Sequence, residues 1–151
     1  MKNRIFASTI SLKNMWKLYA LLSALFAALT GILAKIGVKG ISGNVATAVR
    51  TFVVLFLAWG IVLFGGQLKE VRELNKTNLI FLVLSGLATG FSWIFYFKAL
   101  ETGDISKVAP IDKLSIVFVM ILAFAFLGEP MTIKTVVGGL LILGGTLFLM
   151  L

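Results

Sequence analysis

Residues 106–127 read SKVAPIDKLSIVFVMILAFAFL, and where this stretch is cut decides the fold. The uncharged run from Leu114 to Gly128 is fifteen residues. A helix of that length is about 22 Å long, against a hydrocarbon core about 30 Å thick. A helix that crosses must therefore extend backward through Lys113 and Asp112 toward Ser106. Asp112 then lies six residues in from Ser106, roughly 9 Å along the axis, so an acid and a base sit below the membrane surface.

The rest of the chain has the same character. Of 151 residues, 60% are hydrophobic and 13% charged, and mean hydropathy is +1.07. A soluble fold carries about a quarter charged residues, and disordered chain is poor in Phe, Leu, Ile and Val, so both classes are excluded. A lipid-exposed chain must satisfy its own backbone, as a helix or a closed barrel does, and continuous apolar runs lack the two-residue alternation of a barrel. The expected fold is an all-α integral membrane protein with five transmembrane helices, at about 16–36, 44–68, 78–99, 106–127 and 132–151, behind a basic N-terminal arm over 1–15. The separators are Gly37, Gly40 and Gly43, then the charged run Lys69, Glu70, Arg72, Glu73 and Lys76, and last Gly128-Glu129-Pro130. The arm carries Lys2, Arg4 and Lys13 like a signal-peptide n-region, but the apolar stretch behind it is long enough to span, so the first helix is read as uncleaved. Ile5–Leu12 suits a short amphipathic surface segment. The fifth helix is expected to run to Leu151 and leave no tail.

The absence of Cys and His removes disulfides, thiolate catalysis, Cys/His metal sites and an imidazole proton switch. The formal charge of +8 does not indicate nucleic acid, because the basic residues fall in breaks between apolar runs and not on one polar face. No Walker motif is present, so ATP driving is not encoded. Asp112 is the sole embedded carboxylate, which argues against an enzyme, and no metal or other cofactor is expected. The N-terminal side holds Lys2, Arg4, Lys13, Lys17, Lys69, Arg72, Lys76 and Lys134; the other holds Lys35, Lys39, Arg50, Lys98, Lys107 and Lys113. Eight against six favours a cytoplasmic N-terminus by a narrow margin.

Arg50 lies six residues into the second span from Asn44, on the same side of the membrane as Asp112 and at similar depth. Intramembrane charges normally face a partner charge or a water-filled cavity. The expected contact is an Arg50–Asp112 pair flooring a substrate site; a purely structural pair, or reach to interfacial water, is the alternative. Lys113 is about 100° round a continuous helix from Asp112, so the two would not enter one cavity equally, and Lys113 is free to snorkel.

On the third span Ser85, Thr89, Ser92 and Tyr96 follow i, i+4, i+7, i+11 spacing and form one polar stripe, with Gly86, Gly90, Trp93 and Phe97 beside it. The first span carries Tyr19, Ser23 and Thr30 near one face. Such hydroxyls serve a ligand, a neighbouring helix or their own backbone. Trp93, Tyr96 and Phe97 would form an aromatic wall for an organic substrate; Trp93 is deep enough for it, whereas Tyr96 divides between the cavity and an interfacial belt. Lys35 either adds positive charge to a vestibule or snorkels. Gly86 with Gly90, and Gly138 with Gly145, would permit close helix approach. Glu129 before Pro130 reads as a structural carboxylate at a helix's positive end with Pro in the first turn, and Pro110 as structural.

The segment from Phe95 to Leu151, FYFKALETGDISKVAPIDKLSIVFVMILAFAFLGEPMTIKTVVGGLLILGGTLFLML, resembles the second part of the EamA repeat of the drug/metabolite transporter superfamily. Ala99-Leu100 closing an aromatic helix, Pro110 early in the next, Leu127-Gly128-Glu129 at the turn and the glycine-rich last helix carry the resemblance. GILAKIGVKG and ATAVRTFVV extend it upstream. That family typically has ten helices in two inverted five-helix repeats, and this chain resembles one repeat. The resemblance implies a secondary transporter of small organic metabolites in a prokaryotic inner membrane, working by alternating access as an antiparallel homodimer. A related five-helix chain as partner is the alternative. The near-even basic count fits dual insertion. Small multidrug-resistance relatives carry a carboxylate in the first helix; the uncharged run from Leu18 to Ala34 has none, which disfavours cation export by that mechanism. Arg50, Asp112 and Lys113 together are net positive, which tilts the substrate toward anionic or zwitterionic solutes. A lipid-headgroup flippase and a non-transporting scaffold subunit remain the competing readings.

Overall fold

Two kinds of local signal set the helix ends in this chain: small or capping residues at the starts, and glycines or back-bonded turns at the stops. The computed structural model describes residues 2–150, with side chains from residue 15 onward. The basic side chains of the arm, the surface reading of Ile5–Leu12 and the end at Leu151 thus lie outside what is described. Helix α1 runs Lys2–Gly37 without interruption, α2 Gly43–Phe64, α3 Leu68–Arg72 and α4 Lys76–Thr102; α5 is Ile105–Asp112, α6 Ser115–Leu127 and α7 Ile133–Met150. Five spans emerge: Met15–Gly37, Gly43–Phe64, Lys76–Thr102, Ile105–Leu127 and Ile133–Met150. Among the described residues all regular structure is helical. Five spans are the number expected for one repeat of a ten-helix, two-repeat fold.

Ser42 caps α2, its Oγ accepting from Val45 N at 3.4 Å, and Asn75 caps α4, accepting from Asn78 N at 2.7 Å. Both side chains satisfy amide groups that a helix start leaves without internal partners. The second span ends at Phe64, short of the expected Leu68, because Gly65 and Gly66 turn the chain and Gly66 adopts φ +69°. Thr132, not Glu129, caps α7, its hydroxyl accepting from Thr135 N at 3.2 Å. Pro130 therefore lies outside the helix and not in its first turn, and Glu129 occupies the exposed turn after the left-handed Gly128.

The fourth span is two helices, which corrects the single helix expected. Leu114 N donates to Ile111 O at 3.0 Å and Ile116 N to Lys113 O at 3.0 Å, both i to i−3 bonds, so the chain tightens into a turn between α5 and α6. Pro110 O consequently accepts from Lys113 N at 3.0 Å, and the hydroxyl of Thr146 on α7 donates to it at 3.4 Å.

Packing is concentrated at one end of the bundle. The buried cluster is Ala34 and Val38 of α1 and its following turn, Ala46 of α2, and Phe97 and Leu100 of α4, with Tyr96, Ile105 and Val108 against it. All of these lie where α1 and α4 finish and α2 and α5 begin. The most intimate pair is α2 on α4. A Cβ at Gly43 would meet Lys98 N and Phe97 C at 2.9 Å, so only glycine lets these backbones approach so closely. Around that contact Glu101 Oε2 accepts from Gly43 N at 2.9 Å, and Lys35 Nζ donates to Leu100 O at 2.6 Å and Gly103 O at 2.8 Å. The ammonium thus sits on the free carbonyls at the negative end of α4.

The glycines expected to carry helix packing do not do so within the chain. Gly86, Gly90, Gly138 and Gly145 have nothing within 4 Å of an added Cβ, whereas Gly139 faces Met120 Sδ at 3.3 Å. The α6–α7 contact therefore uses the neighbouring residue of the pair.

Candidate functional site

Arg50 is carried into the packed end by the small face of α2. Gly43, Ala46 and Thr47 are buried against α4, and Arg50 follows at i+7 from Gly43, on the same face. Its guanidinium carbon lies 4.2 Å from the centroid of the Trp93 ring and 5.7 Å from that of Phe97. A planar, weakly hydrated cation over an aromatic face is a favourable arrangement away from bulk water.

The expected Arg50–Asp112 pair is not formed. Asp112 Oδ2 instead accepts from Lys113 Nζ at 3.1 Å, the one ion pair among the described residues. The broken fourth span is the cause: the tightened turn after Asp112 brings together two neighbours that a continuous helix would point about 100° apart. For the same reason Asp112 and Lys113 line one cavity after all. The break also places the last turn of α5 and the first turn of α6 at the same depth, the discontinuous-helix arrangement from which many transporters build their sites.

That cavity, about 310 Å³, is lined by Ala27 and Thr30 of α1, Arg50 of α2, Ser92, Trp93 and Tyr96 of α4, and Asp112, Lys113 and Ser115. A second cavity of about 350 Å³ lies beside it, lined by Thr30, Leu33, Ala34, Gly37, Ile41, Ala46, Val49, Arg50 and Phe97. Arg50 and Thr30 border both. Room for the Tyr96 hydroxyl is left by buried Gly31, whose Cβ would meet that oxygen at 3.2 Å. Tyr96 also stands edge-on to Phe97, centroids 6.3 Å apart.

Of the residues singled out from the sequence, Thr30, Arg50, Ser92, Trp93, Tyr96, Asp112 and Lys113 come together. Ser85, Thr89, Tyr19 and Ser23 line neither cavity. The hydroxyl of Thr89 is used on its own helix, donating to Ser85 O at 2.9 Å. Lys35 lines a separate crevice with Lys39, Ser42 and Glu101, its ammonium committed to the end of α4. Phe97, expected in an aromatic wall, borders the second cavity, whereas Ser115 and Thr146 were not anticipated in their present roles. Phe97 was legible, since it follows Trp93 at i+4 on one face; Thr146 was not, because nothing local marks which hydroxyl meets a distant carbonyl.

An acid and two bases that border one cavity with Trp93 and Tyr96, on helices that otherwise expose apolar surface, mark a polytopic membrane protein with a polar site. The EamA-like transporter family model matches residues 14–151. An uncharacterized transporter in the cobO 3'region of Sinorhizobium sp is 48% identical over 134 residues, covering 89% of this chain and 95% of the relative, which is thus of similar length. The chain belongs to the EamA-like transporter family. No solved structure matches it.

Proposed function

We propose that this chain is a secondary transporter of small organic solutes with an anionic or zwitterionic group, working by alternating access as an antiparallel homodimer in a prokaryotic inner membrane. The observation that carries the reading is the convergence of Arg50, Asp112 and Lys113 on one cavity at the break in the fourth span. Two cationic groups and one carboxylate offer complementary partners to a carboxylate and an ammonium on one solute. The partner copy is supported by the open faces of α4 and α7 at Gly86, Gly90, Gly138 and Gly145, where another helix could approach closely. An inverted copy would restore the two-repeat arrangement of many transporter folds.

Uptake of labelled zwitterions and carboxylates into proteoliposomes tests the transport reading. Arg50→Ala is expected to lower the initial rate by about tenfold or more, the equivalent of losing one charge-assisted contact. An unchanged rate in folded protein overturns the site. For assembly, a C-terminal tag is expected to be labelled from both faces of the membrane; labelling from one face alone would replace the homodimer with a heterodimer of related chains. A second reading, flipping of a lipid headgroup, is favoured by the exposure of the cavity between α1 and α2, whose walls include Leu33 at 66% and Val49 at 61% exposed. Accelerated scrambling of a short-chain fluorescent phospholipid by the purified protein would select it.

A further inference from the structure

The two cavities that meet at Arg50 are chemically opposite. On one side stand Asp112, Lys113, Ser92 and Ser115; on the other Leu33, Ala34, Ile41 and Val49 make the lining mostly apolar. They are not separate sites, because the Arg50 side chain and Thr30 border both, and the stack of Arg50 on Trp93 and Phe97 forms the partition between them. Each lies near the lower limit of the roughly 300–1,000 Å³ common for small-molecule sites, so the pair together suits one solute better than either suits a whole one.

We infer that these cavities are two lobes of one substrate site. The polar lobe holds the charged head, and the apolar lobe between α1 and α2 holds an uncharged hydrocarbon or aromatic body, so the transported class is an amphipathic zwitterion and not a small polar one. This rests on the transport reading above and adds the second lobe. The physical basis is the asymmetry of pocket selectivity: each carbon buried in an apolar pocket adds binding, while a small solute leaves the lobe unfilled. Arg50 serves both ends. Its charge faces the head, and its flat guanidinium, already stacked on aromatic rings, extends the apolar wall. Leu33 and Val49 then determine specificity by limiting the size of the body.

The test uses full-length protein in liposomes and the probes alanine, leucine and phenylalanine, which share one zwitterionic head and differ in apolar body. Initial uptake at equal subsaturating concentration is expected to rise about tenfold or more from alanine to phenylalanine. Val49→Trp fills the apolar lobe from α2 and Leu33→Trp fills it from α1. Each is expected to reduce the phenylalanine-to-alanine ratio to about threefold or less. Two variants from opposite walls, each checked for folding by monodisperse elution in detergent, keep the test decisive if one of them misfolds. Alanine and phenylalanine carried equally by the wild type, or a ratio unchanged by both substitutions, would overturn the two-lobe site and leave the transport reading standing. Uptake of none of the three by protein that carries another labelled zwitterion or carboxylate would overturn the two-lobe site alone, and uptake of no labelled solute would overturn both.

Discussion

At the end of the bundle where α1 closes and α2 opens, helix backbones meet: Gly43 lies against the chain of α4 at Phe97–Lys98, Leu100 is 0% exposed, and Lys35 and Glu101 tie three helix ends together. At the opposite end no described residue is buried, and Phe64 at the foot of α2 is 96% exposed. Mean hydropathy does not explain the difference, since all five spans are alike at 1.8 to 2.1. Residue size and hydrogen bonding do. In lipid, burying another leucine gains little, because the surrounding tails are as apolar as the side chain. Cohesion comes instead from close backbone approach and from polar groups that need partners, and these are found at one end only. The functional cavity lies at the edge of that end, where the packing begins to open.

The comparison predicts a graded response to substitution, read as thermal unfolding in a fixed detergent. The largest loss is expected for Gly43→Val, which drives a side chain into backbone atoms 2.9 Å from the Cβ alone; overpacking of this kind costs about 1–3 kcal/mol or more. Lys35→Met removes two charge-assisted bonds to carbonyls at 2.6 and 2.8 Å and is expected to cost about 2 kcal/mol. Thr146→Val leaves Pro110 O without its α7 donor, at about 1 kcal/mol. Gly90→Ala meets open space and is expected to lie within about 0.5 kcal/mol of wild type. If Gly90→Ala instead proves as damaging as Gly43→Val, the contrast fails for the isolated chain, and the open face of α4 is already occupied by a second copy under the conditions of the assay. Chemical crosslinking at the same concentration would then report that copy directly.

The five spans were legible because uninterrupted apolar runs of this length admit one structure in lipid. The gathering of Arg50, Trp93, Ser92 and Asp112 was legible in part, since depth in each span is a count of residues and the side of the membrane alternates with each crossing. The pairing of charges was not. Depth placed Arg50 and Asp112 at one level, but the choice between a carboxylate and an aromatic face for Arg50 depends on the turn after Asp112, and that turn rests on tertiary partners such as Thr146 as much as on Pro110. The glycines teach a related lesson. Gly138 and Gly139 are equivalent in composition, and only the rotation of α7 against Met120 decides which one packs. Glu101 likewise carried no local mark, because its partner, Gly43 N, is 58 residues away in the chain.

The joint between α5 and α6 has a mechanical consequence. Each half of the fourth span is its own hydrogen-bonded cylinder, connected through Lys113 and Leu114 by i to i−3 bonds. Twisting α6 therefore turns a short coupling before it reaches α5, while α7 stays tied to α5 through Thr146 and Pro110 O, and the ion pair of Asp112 with Lys113 sits at that coupling. A continuous helix would transmit the rotation along its full length to the packed end. Here the charged pair sits at the joint itself, apart from the contacts that Gly43, Lys35 and Glu101 make at the packed end.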